Sequence, residues 1–392
     1  MKPVFCEVTQ WWNWYYLKNQ ISPHFYYYPV QLMIQKGFTA EVLTVLYPER
    51  EETQYENHDK LQIQRFVRDN NFSFVVKLFN HMMKRNYSLI NLHSIDWYID
   101  YVPWIVSRIK NTPMVFTSHS PGVMESALDW ESKMSFKDKM LLKNVFMLRD
   151  SPTCIFIAFT QCQAEFYRKI GVKNIRLIPH GIDPKAFEVE RDNNIIDKYG
   201  LGEYNLLCVG TLESRKGQLF LIESMPRILK EFPNTKLLLT GRTYVQYQRD
   251  YLRTLKLHIA KLNLKDKVVF LDDVPKSDLI QLYLLSSLFI LPTDAEMFGL
   301  VFLEAMAAGL PIISTNKPHV REVLGNGEAG ILVEREQKSI ENAILRLLGD
   351  SALRRRLGSN GKKVVEQRYR LDKVIQQHWD LYQSILNKRE HL

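Results

Sequence analysis

The fold is decided by residues 288–311, which read LFILPTDAEMFGLVFLEAMAAGLP. The apolar run Leu288–Leu291 predicts a buried strand, and Pro292-Thr293-Asp294 predicts that this strand ends in a loop. The alanine- and leucine-rich stretch that opens near Phe298-Gly299 predicts a helix, which Gly309 can end in the left-handed conformation. A buried strand, a loop and a helix in this order form the repeating unit of a parallel sheet.

The same alternation of apolar runs and helical segments extends over all 392 residues. The strands predicted in the first half are Val4–Val8, Glu41–Val45, Leu89–Leu92, Met114–Thr117, Ile155–Phe159 and Ile175–Ile178. Those predicted in the second half are Asn205–Val209, Lys236–Thr240, Val268–Leu271, Leu288–Leu291, Pro311–Ser314 and Gly330–Val333. This rhythm predicts an α/β protein of two Rossmann-like, doubly wound domains, six strands in each, facing each other across a cleft.

A charged segment near Asp183–Gly202 separates the two halves. The sequence therefore predicts a first domain over residues 1–187, which would bind the acceptor, and a second over 188–370, which would bind a nucleotide. Residues 371–392 have a helical pattern, and a helix of that length could pack back on the first domain.

Charge and cysteine usage exclude several classes of protein. The net charge is +9, but it is spread over both halves, so no nucleic-acid-binding arm is predicted. Such a charge suits an anionic substrate or a contact with an anionic membrane. The scattered cysteines form no C-x-x-C pair, so neither zinc nor a disulfide framework is expected. Because no apolar run approaches the ~20 residues of a membrane span, we expect a cytoplasmic protein, with peripheral contact at the inner membrane face left open.

Two carboxylates flank the start of the predicted helix. Glu296 falls in the loop before it, and Glu304 lies about one and a half turns into it. The backbone N–H groups of Gly299 and Leu300 would be unpaired at the helix start, which makes that start an anion site. A diphosphate could rest there while the carboxylates accept hydrogen bonds from sugar hydroxyls.

A second motif, VGTLESRKG over residues 209–217, follows the first strand of the second half. Gly210 permits a close approach of the backbone to a ligand. Arg215 and Lys216 place positive charge where a departing diphosphate needs neutralising.

Taken together, these motifs resemble the retaining glycosyltransferases of the GT-B fold, family four. The resemblance includes the E-x7-E spacing from Glu296 to Glu304, the F-G-L and E-A-M-A-x-G-x-P runs around it, and R-K-G at 215–217. In the first half it depends on His119 within MVFTSHSPG and on the run PHGID at 179–183.

The resemblance implies a role for each charged residue of the pattern. Glu296 would hold hydroxyls of the donor sugar, and Glu304 would hold those of the ribose. Arg215 and Lys216 would clamp the diphosphate. His119 would face the anomeric carbon.

It also implies roles for residues that act mainly through their backbone. Val274 would contact the base, while Phe298, Gly299 and Leu300 would cover the diphosphate and sugar. Thr211 stands beside Gly210 where many members carry arginine, so phosphate neutralisation would depend on the Arg215-Lys216 pair.

The reaction implied is transfer of a hexose, with retention and without a metal or other cofactor, from a UDP- or GDP-linked sugar. The acceptor would be a glycan or a lipid-linked glycan, so the protein would serve glycan biosynthesis. The aromatic run Trp11–Tyr16 could bind that acceptor or a membrane, or simply pack, and Lys133–Arg149 could be a basic amphipathic helix on lipid.

Other functions fit parts of the pattern. A sugar-nucleotide epimerase or a phosphorolytic enzyme of this fold would need the same diphosphate or phosphate site, and a non-catalytic sugar-nucleotide-binding protein would keep it without turnover. A glycosidase using Glu296 and Glu304 as acid and base is disfavoured, because such a pair must flank the scissile bond.

Overall fold

The computed structural model describes residues 3–9, 27–46, 54–67, 70–94, 97–119, 151, 153–241, 243, 246–294 and 296–390. The chain divides into two compact units. The first contains Met1–Pro179 together with Asp372–Leu392, and the second contains His180–Leu371. The two are described separately below.

The first unit is built on an eight-stranded sheet in the order β3-β4-β2-β1-β5-β6-β7-β8. Strands β3 and β4 pair antiparallel, and the other described pairs are parallel. The strands are β1 Val4–Val8, β2 Thr39–Leu46, β3 Tyr55–His58, β4 Leu61–Val67, β5 Leu89–Ser94, β6 Met114–Ser118, β7 Cys154–Ala158 and β8 Ile175–Leu177.

The prediction of six strands in the first half was wrong, because β3 and β4 add two at one edge. In β4 buried and half-buried residues alternate, as in Leu61-Gln62-Ile63-Gln64, and β3 is mostly polar. A search for continuous apolar runs finds strands covered on both faces and misses such an edge pair. Asp59, at a φ of 50°, makes the turn between them.

Helices cover this sheet and complete the core of the first unit. They are α1 Tyr27–Gln35, α2 Asn71–Met83, α3 Trp97–Lys110 and α4 Gln161–Lys169. One buried cluster joins Leu78 of α2 and Val106 of α3 to Ile90 and Phe116 of the central strands. The sheet centre is thus held rigidly, which fixes the ends of β1, β5 and β6.

The second unit has a parallel six-stranded sheet in the order β11-β10-β9-β12-β13-β14. Its strands are β9 Tyr204–Val209, β10 Thr235–Thr240, β11 Val268–Leu271, β12 Leu288–Leu291, β13 Ile312–Thr315 and β14 Gly330–Val333. Its helices are α5 Asn194–Tyr199, α6 Gln218–Glu231, α7 Gln246–Lys261, α8 Lys276–Leu285, α9 Leu300–Ala308, α10 Pro318–Val323, α11 Gln337–Gly349 and α12 Ser351–Val364. The expected α/β architecture of two doubly wound domains is confirmed in both units.

The last helix, α13 Leu371–Glu390, returns the chain to the first unit. The ring of Tyr382 lies 5.8 Å from that of Phe5 in β1, and Lys36 lies over Trp379 at 4.7 Å. These contacts anchor the helix to the sheet that carries His119. Among the described helices, none has the length and apolar character needed to cross a bilayer.

Candidate active site

The candidate site of the second unit lies where the strand order reverses. From β9 the chain adds β10 and β11 on one side, and later places β12 on the other side of β9. In doubly wound sheets ligands bind at this switch point, beyond the carboxyl ends of the strands. The loops after β9 and β12, residues 210–217 and 292–299, both begin there.

Backbone contacts clamp these two loops together. The N–H of Asp294 donates to the carbonyl of Arg215 at 2.7 Å. Gly217 has a φ of +76°, and a Cβ added there would lie 2.5 Å from the carbonyl oxygen of Pro292. Arg335 donates from Nε to the Pro292 carbonyl at 3.1 Å and from its guanidinium to the Ser214 carbonyl at 2.7 Å. The loops therefore hold one arrangement in which only glycine fits at 217.

This clamp brings the charged residues of the two motifs together. Lys216 donates a hydrogen bond from Nζ to Oε2 of Glu296. A guanidinium nitrogen of Arg215 lies 4.0 Å from the same oxygen. The side chains of Lys216 and Glu296 are only 9% and 16% exposed, so the pair is largely removed from water. Such a pair costs desolvation energy and must be well organised.

A second carboxylate, Glu213, orients Arg215 from the other side. Arg215 lies 2.6 Å from Glu213, which also accepts a hydrogen bond from the Thr211 hydroxyl at 2.5 Å. Tyr247 donates to it at 3.3 Å. Thr211 therefore supports the guanidinium indirectly, through Glu213, and the spacing of the R-K-G motif gave no sign of this.

His319 is a further member of this group that the motif search missed. It lies in α10 with only 5% of its surface exposed, and its Nε2 has no hydrogen-bonding partner among the described residues. Loss of water lowers the pKa of His319 to about 4, although the Glu296 charge acts in the opposite direction. A neutral imidazole thus lies within electrostatic reach of Glu296. Lys317, two residues earlier, pairs with Asp294 at 3.1 Å.

Glu304 occupies a separate position on the flank of α9. Its Oε2 accepts a hydrogen bond from the Tyr283 hydroxyl at 2.8 Å. Burial raises the pKa of Glu304, and both Tyr283 and the charge of Lys276 oppose that rise. Lys276 begins α8, two residues after Val274, which is half-buried in the loop after β11. The residues expected to bind ribose and base therefore belong to neighbouring elements.

Helix α9 begins after a glycine in the left-handed conformation. Gly299, at the N-terminal cap, has a φ of +78° and no side chain to cap the helix. Phe298 is buried, with its ring 5.2 Å from that of His180 and 5.5 Å from that of Tyr369. The aromatic ring thus anchors the loop within the unit, and the N–H groups at the start of α9 are the groups suited to an anion.

Gly210 lies in close backbone contact with Gly241 and beside the side chain of Lys216. A Cβ built on Gly241 would lie 1.9 Å from the carbonyl oxygen of Gly210, so this approach requires glycine at position 241. Gly210 itself has a φ of +154°, and the stem of Lys216 lies 3.7 Å from its Cβ position. The structure thus brings Gly210 to Lys216, which in turn bonds to Glu296.

His119 belongs to the first unit, where it follows β6. Its Nε2 lies 2.8 Å from Nδ1 of His93, and the planes of the two rings differ by 20°, with centroids 5.1 Å apart. Nε2 of His93 in turn lies 2.7 Å from Oε1 of Glu7. Asn91 donates to the other carboxylate oxygen of Glu7 at 2.9 Å. The sequence alone favours a structural role for His93, at a strand end similar to that of His119, and indicates no role in the site for Glu7.

Two segments with a predicted role in binding acceptor or lipid, Trp11–Tyr16 and Lys133–Arg149, lie outside the described residues. Within the part of the chain that is described, no group of His, Cys, Asp or Glu side chains could hold a metal ion.

The chain has two doubly wound units, and one of them gathers acidic and basic side chains at its switch point. This arrangement is typical of enzymes that bind a nucleotide-linked sugar. Two family models match the chain: "Glycosyltransferase Family 4" over residues 29–186 and "Glycosyl transferases group 1" over residues 192–364. The chain belongs to the family-four glycosyltransferases of the GT-B fold and is a glycosyltransferase.

Known proteins agree with this assignment. An uncharacterised glycosyltransferase of Methanocaldococcus jannaschii, MJ1607, is 27% identical over 370 residues, which cover 89% of this chain and 90% of that protein. Sucrose-phosphate synthase from Thermosynechococcus elongatus matches with a TM-score of 0.81 and 22% identity, covering 99% of this chain and 100% of its own. Alr3699/HepE of Anabaena, in complex with UDP-glucose, matches with a TM-score of 0.75 and 18% identity, covering 97% and 99%.

Proposed function

We propose that the protein transfers a hexose from a UDP- or GDP-linked sugar to a glycan or lipid-linked acceptor, with retention and without a metal. The observation that carries the proposal is the junction of Lys216 and Arg215 with Glu296, 80 positions apart from Lys216 in sequence, at the switch point of the second unit. The donor would bind there. A nucleotide sugar as donor is supported by the similarly folded HepE of Anabaena, whose structure contains UDP-glucose.

The diphosphate end of the donor would be neutralised by protein charge. Arg215 and Lys216 supply fixed cations, and the start of α9 supplies N–H groups. Glu213 and Glu296 hold the two cations apart and in place before any ligand binds. Because these groups can stabilise the departing diphosphate themselves, we propose that no metal is needed.

The sugar and nucleoside ends would be held by the two glutamates. Glu296 can accept from sugar hydroxyls while it keeps Lys216 as a partner, since a carboxylate has several acceptor positions. Glu304 would accept from the ribose hydroxyls. Val274 would meet the base through its backbone. The proposal therefore leaves open whether the base is uracil or guanine, and which hexose is transferred.

Retention of configuration is proposed from the family resemblance, and the placement of the charges is compatible with it. The acceptor hydroxyl would attack the anomeric carbon from the face that the diphosphate leaves. Its proton would pass to a departing phosphate oxygen, which Arg215 and Lys216 stabilise. His119 would act from the first unit near the anomeric carbon.

The proposals for the acceptor and for the location of the enzyme depend on the net charge and on exposed apolar side chains of the first unit. The net charge of +9 suits a cytoplasmic enzyme that meets anionic lipid at the inner membrane face. In the first unit, the packed helices α2 and α3 expose Phe72 (81%) and Ile109 (58%). Lys77 and Arg108 are exposed on the same two helices. Flotation with anionic and neutral vesicles tests this part of the proposal, and equal recovery with both vesicles would contradict it.

The donor is tested by a thermal-shift screen against uridine, guanosine and adenosine diphosphate sugars. A donor present at a hundred times its dissociation constant should stabilise the protein by about 2.7 kcal/mol. NMR of the product then reports the anomeric configuration. An inverted product overturns the proposed retention, and an epimerised donor without transfer would point to a sugar-nucleotide epimerase instead.

A further inference from the structure

Beyond the donor site, the first unit contains a row of one carboxylate and two imidazoles. Glu7, His93 and His119 follow each other at 2.7 and 2.8 Å. Glu7 has no exposed surface and His93 is 4% exposed. A buried carboxylate is costly unless it is paired and hydrogen-bonded, so this row needs a physical account.

The sheet register explains why the three side chains meet. Glu7 of β1 lies beside Asn91 of β5, and His93, two residues on, points to the same face. His93 lies beside Thr117 of β6, and His119 follows two residues later. Three adjacent parallel strands thus place the row on one face, near their carboxyl ends.

The separation between Glu7 Oε1 and His93 Nε2 requires a proton between these atoms, because two lone pairs at 2.7 Å repel. Burial raises the pKa of Glu7, whereas the charge of His93 and the hydrogen bonds from His93 and Asn91 oppose that rise. The amide nitrogen of Asn91, which donates to Glu7 Oε2, also lies 3.1 Å from Nε2 of His93. With Glu7 ionised, the proton lies on Nε2 of His93. A neutral imidazole carries one N–H, so Nδ1 of His93 then accepts a hydrogen bond. The group that can donate to it is the Nε2–H of His119, at 2.8 Å.

We infer that Glu7 and His93 are positioning residues, which fix both the ring orientation of His119 and its Nε2–H tautomer. Nδ1 of His119 then carries the lone pair and serves as an acceptor. The contact of Nε2 with His93 and the packing of the ring against Phe159, with centroids 5.2 Å apart, limit rotation of the His119 ring. The catalytic consequence rests on the proposed function, in which His119 acts at the anomeric carbon.

A matched control lies on the opposite face of the same sheet. Glu41 of β2 is also buried (3% exposed) and hydrogen-bonded to a histidine, His81, at 2.9 Å and to Tyr87 at 2.6 Å. Its neighbour in the register is Cys6, whose side chain points away from the face of Glu7. Glu41→Gln therefore removes a comparable carboxylate without touching the row.

The direct test is the tautomer of His119, read by ¹⁵N NMR of histidine-labelled protein, with the signal assigned by its loss in His119→Asn. We expect Nε2–H in the wild type and in Glu41→Gln, and a mixture of tautomers in Glu7→Gln. A wild-type His119 protonated at Nδ1, or one unchanged by Glu7→Gln, overturns the inference. This readout does not require that the donor be known.

Two variants of His93 give an independent test. His93→Phe keeps a ring but removes the acceptor, so His119 should again lose its single tautomer. His93→Asn keeps an acceptor oxygen near the former Nδ1 and should restore that tautomer. If His93→Phe, folded by circular dichroism, leaves the tautomer unchanged, the inference is wrong even if Glu7→Gln fails to fold.

Kinetics connect the row to turnover. We expect Glu7→Gln and His93→Phe to lower kcat roughly 10- to 100-fold, with KM for the donor within about twofold and partial rescue in His93→Asn. Glu41→Gln should leave kcat unchanged. A tautomer change without any loss of kcat would confine the row to structure and overturn its role in catalysis, whereas absence of transfer in the wild type would count against the proposed function instead.

Discussion

The two clusters of candidate site residues are built in different ways. In the second unit, Arg215, Lys216 and Glu296 lie on two loops that backbone contacts clamp together. In the first unit, Glu7 and His93 lie on strands, and their positions follow from the register of one sheet. Charge is concentrated in the loop cluster, whereas the strand cluster is a buried hydrogen-bonded row. The loop cluster therefore depends on contacts between two loops, whereas the strand cluster depends on the pairing of the sheet itself.

The comparison predicts that the largest loss of transferase activity follows the removal of charge from the loop cluster. Glu296→Gln keeps the shape but removes the charge that holds Lys216, and it weakens acceptance from sugar hydroxyls. We expect kcat/KM to fall roughly 10²- to 10³-fold in a transfer assay. The matched control is Glu341→Gln, since Glu341 is also an ion-paired glutamate of low exposure, bonded to Arg227 at 3.0 Å. Equal activity of the two variants would contradict the site assignment.

The clamp between the loops is tested by Gly217→Ala. The new Cβ would lie 2.5 Å from the Pro292 carbonyl oxygen at a φ of +76°. We expect a loss of about 2–3 kcal/mol in the free energy of unfolding, measured by urea denaturation. Gly200→Ala is the control, because Gly200 also has a positive φ, +61°, but has open space around it. This variant should lose only the backbone strain, about 1 kcal/mol in the free energy of unfolding. Equal losses would show that close packing of the two loops contributes nothing.

A buried histidine in each unit allows the two to be compared by pH. Burial lowers the pKa of His319 in the second unit, and of His378 in the first, to about 4. Because the native pKa lies below the ordinary value of 6.5, the unfolded chain takes up the proton first. Stability is therefore complete above pH 6.5 and falls as the pH drops from 6.5 towards 4.

Each substitution should reduce this acid sensitivity in its own unit. We expect His319→Gln and His378→Gln each to remove about 2 kcal/mol of the stability difference between about pH 7 and about pH 5. Thermal unfolding at several pH values measures it. Acid sensitivity that stays as large in both variants as in the wild type would show that neither imidazole is held neutral.

The sequence carried different amounts of information about the two clusters. The second-unit site was predictable because its residues occupy short motifs, with Arg215 next to Lys216 and Glu296 eight positions before Glu304. His319 was missed, since its link to Glu296 exists only after β12 and β13 pair. Glu7, His93 and His119 are spread over 113 sequence positions and become neighbours only through strand order. The edge strands β3 and β4 were missed for the related reason that half-exposed strands lack a continuous apolar run.

The smallest expected effect concerns the nucleoside end of the second-unit site. Tyr283→Phe removes the hydrogen bond to Glu304 that opposes the rise of its pKa, so the carboxylate becomes a poorer acceptor for ribose hydroxyls. Loss of one such bond is worth about 1 kcal/mol, or roughly fivefold in the dissociation constant of the nucleoside diphosphate, measured by calorimetry. Tyr204→Phe, in β9 against Phe232, is the control. If Tyr283→Phe leaves nucleotide affinity unchanged while Glu296→Gln abolishes turnover, the donor contacts this unit through its sugar and diphosphate alone, and Glu304 acts in packing rather than in binding.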